Sequence, residues 1–242
     1  PHFLERLAGN EPVVVPDAGG LPEPERTHIQ GLEIGSLLLA PLFVSGELSG
    51  FMGFDAIAGP RDWPPNDVRL LGVCAQMVAG ALSHREHEAQ LQRVNRALRV
   101  LGAVNRSLLL HRDEPALLHA VCEDVVAVGS YAMAWVGYAQ DDAERTVVPM
   151  EWAGNEAGYL QRIRVSWADD ERGRGPTGTA IRTGRPSACR FMQSDPRFKP
   201  WQEDAQARGY ASGLALPLSR DGETFGALNI YAAEPDAFDA EE

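Results

Sequence analysis

The chain has 242 residues, enough for two modest domains, and its 44% hydrophobic content can fill proper cores. A net charge of −12 with no basic run disfavours a polyanionic partner, so no nucleic-acid binding is expected. No uninterrupted run of about 18 apolar residues occurs, so no membrane-spanning helix is expected.

Residues 1–35 hold a short helical pattern (Phe3, Leu4, Leu7), the apolar run Val13-Val14-Val15 and a second short helix ending near Gly31. Ser36 to Leu42 and Leu48 to Ala56 read as a hairpin around Ser45-Gly46-Glu47. Gly59, Pro60, Pro64 and Pro65 break the chain before a long helix, with Asn66 as its expected N-cap. From Asp67 to about Leu110, apolar or small residues recur at alternating steps of three and four, through His84 and His87 to Leu91, Val94, Leu98, Leu101, Asn105 and Leu108. Sustained for about six heptads, this is a seam that asks for a partner helix. Asn105 falls at an a position, where a lone asparagine favours a parallel pair in register. The pair at His84 and His87 lacks the residues expected after a phosphoacceptor histidine and has no third metal ligand, so it reads as polar seam.

After the helix, Asp113 and Pro115 start a shorter one with Leu117, Leu118, Val121, Cys122, Val125 and Val126 on one face. Ser130–Ala139 and Thr146–Ala153 read as antiparallel strands, Ile163–Trp167 as another, and Thr177–Arg182 as a helix closed by Gly184. Pro186–Phe191 is an expected strand, Pro200–Arg208 an expected helix, and Ser212–Leu218 with Thr224–Ala232 a last hairpin around Arg220-Asp221-Gly222. Cys74, Cys122 and Cys189 are far apart in apolar settings, as buried reduced thiols in a reducing cytoplasm would be.

The chain repeats itself. Proline follows serine by five residues in both Ser36…Pro41 and Ser212…Pro217, glycine follows at Gly46 and Gly222, and another at Gly50 and Gly226. An aromatic before acids closes each copy, Trp63…Asp67 and Phe238…Glu241. The expected organisation is residues 1–66 as the second half of one domain, 67–112 as a connecting helix, and 113–242 as a second domain lacking its last helix. Pro1 looks like the middle of a domain and Glu242 the start of a helix, so a fragment of a longer protein is expected, with its output domain (a histidine kinase or diguanylate cyclase) downstream.

The order of elements resembles the GAF family of small-molecule sensor domains. The residues that carry the resemblance are Gly173-Arg-Gly-Pro-Thr-Gly178, Gly184-Arg-Pro186, Asp195-Pro-Arg-Phe198, Arg208-Gly-Tyr210-Ala-Ser212, Ala215-Leu-Pro217-Leu and Phe225-Gly-Ala-Leu228. The resemblance implies an α+β sandwich: two GAF-like domains, each a central antiparallel sheet with flanking helices, joined by the long helix. It also implies a ligand pocket in the second copy, lined from Trp135, Trp152, Tyr159, Arg172, Thr177, Asp195, Trp201, Tyr210 and Ser212. Cyclic-nucleotide-binding members carry Asn-Lys after the last strand, where this chain has Ala232-Ala233 and, in the first copy, Ala56-Ile57. No histidine lies between Ser130 and Glu242 to hold haem or iron, and Cys189-Arg190 does not suit a covalent bilin, so no cofactor is expected. The enzymatic branch of the family, the free methionine sulfoxide reductases, needs a cysteine where Thr177 stands, and a hydroxyl without a base is no substitute for a thiolate. The resulting expectation is a cytoplasmic, non-catalytic sensory module of a two-component-type signalling protein. It would bind an unidentified small molecule and form a homodimer through the seam. The alternative is a ligand-free dimerisation or protein-interaction module.

Overall fold

The computed structural model describes residues 2–57 and 59–238, excluding the side chains of His2 and Gln30, and the sequence match at Glu241 and Glu242 lies outside them. Chain contacts divide it into two units, residues 1–93 and 94–242.

The first unit contains α1 (His2–Ala8), β1 (Val13–Val15), α2 (Glu25–Gly31), β2 (Ser36–Val44) and β3 (Glu47–Ala56). β1, β2 and β3 form an antiparallel sheet in that order. Successive side chains of β2 point to opposite faces. Leu37 and Leu39 pack with Leu7, Val13 and Val15, while Leu38 and Ala40 pack with Trp63, Leu71 and Ala75.

The long helix α3 (Pro65–Leu110) crosses the division between the units. It begins one residue before the expected cap. The Pro64 carbonyl accepts from the amides of Asp67 and Val68, and Pro65 takes the first turn, where its missing N–H costs nothing. The Asn66 side chain instead accepts from Arg69 at 3.1 Å.

In the second unit, α4 (Glu114–Gly129) starts on Asp113, whose carboxylate accepts from the Ala116 amide. Then come β4 (Met133–Ala139), β5 (Val147–Gly154), α5 (Tyr159–Arg162), α6 (Pro176–Thr183), β6 (Ser187–Cys189), α7 (Gln202–Gln206), β7 (Ser212–Arg220) and β8 (Glu223–Ala232). The sheet is antiparallel, in the order β5-β4-β8-β7-β6. On one face Cys122 and Val125 of α4 pack with Ala134, Val136, Ile230 and Phe238. On the other, α5, α6, α7 and their loops cover Met133, Trp135 and Tyr231.

The duplication is exact in strand register. Ser36 pairs with Ala56 as Ser212 does with Ala232, and Leu42 with Gly50 as Leu218 with Gly226. The register shifts at Leu42/Phe43 and again at Leu218/Ser219. Both hairpins turn through two residues at positive φ, Ser45-Gly46 (52° and 87°) and Asp221-Gly222 (55° and 86°), the primed turn that matches strand twist. Pro41 and Pro217 lie just beyond the short neighbouring strand, where a missing N–H breaks no ladder.

Three expected elements differ. Ile163–Trp167 is no strand; its one pairing with the sheet is the bridge Thr146–Ser166, while Ile163, Val165 and Trp167 pack on the core. The segment expected as a helix over 200–208 is a 3₁₀ turn, Pro196–Trp201, followed by the short α7, because Pro200 interrupts the hydrogen bonding. Ser130 is not in a strand but closes α4 in the left-handed conformation, at φ 55°.

Candidate functional site

The covered face of the second sheet holds an aromatic cage. β4 supplies Trp135, β8 supplies Asn229 and Tyr231, α5 supplies Tyr159, α6 supplies Thr177, and the 3₁₀ turn supplies Phe198 and Trp201. Trp135 and Asn229 are cross-strand partners, so they share this face. Tyr159 stands edge-on to Tyr210 and Tyr231, at 5.3 and 5.7 Å between ring centres. The rings nearly fill the space and leave a cavity of about 10 Å³. That is room for roughly one water.

The polar atoms of the cage divide into two sets. The Thr177 hydroxyl donates to Asn229 Oδ1 at 2.7 Å, and the Asn229 amide reaches the Trp135 and Ala227 carbonyls at 3.5 and 3.3 Å. Trp201 Nε1 donates to the Arg164 carbonyl at 3.1 Å, and the Tyr210 hydroxyl donates to the Asn155 carbonyl. By contrast, Trp135 Nε1 and the Tyr159 hydroxyl are buried without a hydrogen bond. Both approach the Tyr231 hydroxyl, but not in hydrogen-bonding geometry. Burial, then the neighbouring Tyr231, pushes the Tyr159 phenol far above its ordinary range, so it stays protonated. An unpaired buried donor costs about 1–3 kcal/mol.

Of the nine side chains that the family resemblance implied, the structure brings Trp135, Tyr159, Thr177, Trp201 and Tyr210 together. The other four lie outside this cage, although Arg172 shares an outer groove with Trp135. Trp152 is cross-strand to Trp135 but stands on edge strand β5, uncovered and 41% exposed. Arg172 is exposed at an outer groove of about 760 Å³ beside Arg164 and Asp170. Asp195 caps the 3₁₀ turn and grips Arg197, which holds its carboxyl below the usual carboxylate range. Ser212 donates to the Glu234 carbonyl at 2.7 Å and accepts from the Ala237 amide at 3.3 Å, fastening the C-terminal segment.

Asn229, Tyr231 and Phe198 were missed from sequence. A signal existed for the first two: in Ala227-Leu-Asn-Ile-Tyr231 the two-residue period puts Asn229 on the face of Ala227 and Tyr231, one amide in an apolar strand.

None of the three cysteines is disulfide-bonded. Burial pushes the thiols of Cys122 and Cys189 up to about 12, Glu151 and Asp195 adding to it. Iodoacetamide at pH 8 should therefore modify half-buried Cys74 at least about tenfold faster than either, because the thiolate is the nucleophile. Peptide mapping by mass spectrometry reads this directly, and equal labelling of all three would contradict it.

Two family models, each described as GAF domain, match residues 3–82 and 111–242. The chain belongs to the GAF domain family. A methanogenesis regulatory histidine kinase, FilI of Methanothrix harundinacea, is 29% identical over 143 residues. The match takes in 58% of this chain but only 16% of that kinase's length. Among solved structures, a GAF domain from a Coxiella burnetii phosphoenolpyruvate-protein phosphotransferase is similar at TM-score 0.47 and 18% identity, covering 60% of this chain and 84% of its own. The free methionine-R-sulfoxide reductase of Neisseria meningitidis gives 0.48 and 20%, covering 63% and 79%. Among the described residues, no helix of this GAF protein is long and apolar enough to cross a membrane, and no group of three or more candidate ligands is placed to hold a metal.

Proposed function

We propose that the chain is a non-catalytic sensory module of a cytoplasmic signalling protein. A small molecule held in the second GAF unit biases the packing of a parallel homodimer formed along α3, and a downstream output domain responds. The observation that carries this reading is the exposure of the seam. Leu91, Val94, Leu98, Leu101 and Leu108 are 70, 52, 63, 56 and 52% exposed, and Asn105 is exposed with them. Ala103 and Ser107, on another face of the same helix, are buried in the second unit, and the Ser107 hydroxyl donates to Asp124 at 2.6 Å. The domain's own side therefore leaves the heptad stripe free for a second copy. Similarity to a regulatory kinase supports an output by phosphotransfer, and free thiols suit a reducing compartment. A ligand that binds two packings unequally moves the balance between them by its difference in affinity.

The nearly filled cage favours a second reading, a dimerisation module with no ligand. Native mass spectrometry of the purified chain, before and after soaking in cell metabolites, separates the two. A dimer carrying a stoichiometric small molecule is expected. A dimer that stays bare after soaking supports the second reading, and a monomer at high concentration defeats both.

A further inference from the structure

The seam of α3 contains two adjacent histidine layers that apolar packing does not account for. Counting heptads back from Leu91 and Leu98 at a puts His84 at a and His87 at d. Leu70, Val73 and Met77 precede them on the stripe and Leu91 and Val94 follow, all exposed in the single chain. Imidazoles closed inside such a seam must find partners for their ring nitrogens. One nitrogen of each ring is already held by its own helix. His87 Nδ1 lies 2.8 Å from the Ser83 carbonyl oxygen, which can only accept. Nδ1 therefore carries the proton, and the neutral ring keeps its lone pair on Nε2. His84 Nδ1 faces the Glu88 carboxylate at 3.5 Å, which selects the same tautomer. Metal-ligating histidines are oriented in this way, one N–H on a carbonyl or carboxylate and the other nitrogen presented.

We infer that the α3 dimer holds one divalent transition-metal ion of the zinc class between His84 and His87 of one chain and the same two residues of the second copy. One chain offers two such nitrogens, too few to hold the ion. A parallel copy in register doubles them, and residues three apart on one helix are neighbours, at about 5–6 Å between Cβ atoms. Four neutral imidazoles form a nitrogen set that tetrahedral zinc accepts. The flanking positions suit a cation. The e and g positions around the two layers are Ala81, Ser83, Glu88 and Gln90, while Arg85 and Glu86 fall at the outer b and c positions. Two copies of Glu88 thus bring two negative charges beside a doubly charged ion. Gly80, the d layer before His84, has open space around its missing Cβ and leaves the rings room. The inference rests on the proposed parallel dimer and adds a ligand to it. A partner shifted by one heptad would separate the two histidine pairs.

The test is a zinc titration of the whole, chelator-treated chain, followed by calorimetry and light scattering. One zinc per two chains is expected. With zinc at about a hundred times its Kd, self-association should tighten roughly a hundredfold, because the ion binds the dimer and not the single chain. Cobalt(II) in place of zinc should give the visible bands of a tetrahedral site. His84 and His87 are exposed in the single chain, so His84→Gln combined with His87→Gln should keep the circular dichroism and lose both the stoichiometry and the tightening. Zinc at one per chain, or tightening that survives in the double variant, would assign binding to other side chains and overturn the site while leaving the dimer reading intact. A dimer that binds no zinc does the same. A monomer that dimerises only when zinc is added supports the site. A chain that stays monomeric with and without zinc overturns the site together with the dimer on which it rests.

Discussion

Gly178→Ala is expected to destabilise the second unit by about 2–3 kcal/mol, against the usual gain of about 0.5–1 kcal/mol for alanine over glycine inside a helix. Gly178 lies in α6, so the ordinary expectation is that a methyl group helps. Here a Cβ would stand 2.2 Å from the Gly173 carbonyl oxygen and 2.4 Å from that of Ser166. Neither carbonyl is free to retreat. Gly173 itself packs so closely that its own Cβ would fall 1.8 Å from the Ala168 oxygen, and its amide donates to the Asp170 carboxylate at 2.7 Å. Arg182 clamps the same loop from the other side, donating through Nη1 to the carbonyls of Trp167, Ala168 and Gly173. The methyl must therefore push apart backbone that several hydrogen bonds hold together. Gly102→Ala is the matched control: it lies in α3 within the same unit, with open space around its missing Cβ, and should stabilise by about 0.5–1 kcal/mol. Differential scanning calorimetry should show the second unit of Gly178→Ala melting roughly 4–12 °C lower, at 2–4 °C per kcal/mol. A melting point equal to that of the wild type would remove the close-approach argument.

That backbone contact explains why part of the site was legible in the sequence and part was not. Gly173-Arg-Gly-Pro-Thr-Gly178 marks a loop and a helix start through residues whose backbone needs are local. The hairpins were readable for the same reason, since Ser45-Gly46 and Asp221-Gly222 dictate their own turns. Trp135, Tyr159, Trp201 and Tyr210 were legible only through the family resemblance, which implied them as pocket residues. What a polar side chain does, however, depends on neighbours far along the chain. Asp195 had its own turn and Arg197 at hand, and Ser212 found the Glu234 carbonyl, so both became fastenings. Trp152 shares a face with Trp135, but β5 is the edge of the sheet and nothing covers it. Thr177 met Asn229 across the fold, a pairing that no local pattern announces. The segment Ile163–Trp167 has strand composition but lies where only Thr146 and Ser166 align for pairing, and the tertiary context set its conformation.

Replacing Leu91 and Leu98 together by glutamate is expected to convert the proposed dimer to monomer while leaving both units folded. The two leucines are 70% and 63% exposed in the single chain, so their replacement removes little intramolecular packing. In a dimer each would be buried at an a position, at roughly 1.5–3 kcal/mol per side chain. Glutamates there would face each other across the seam and add repulsion in a poorly solvated setting. The loss of four leucines from the interface should weaken association by well over about a hundredfold, since each factor of ten is about 1.4 kcal/mol. Light scattering after size exclusion should report half the wild-type mass, with helicity by circular dichroism retained in α3 where it packs on each unit. Asn105→Leu tests orientation in the same assay. It should tighten association and broaden the distribution of oligomers, because the lone amide that fixes register and strand number is gone. A wild-type chain that is monomeric at high concentration would refute the seam as a dimer interface. A double variant that stays dimeric would instead place the contact on another surface, and α3 would then connect the two units without pairing them.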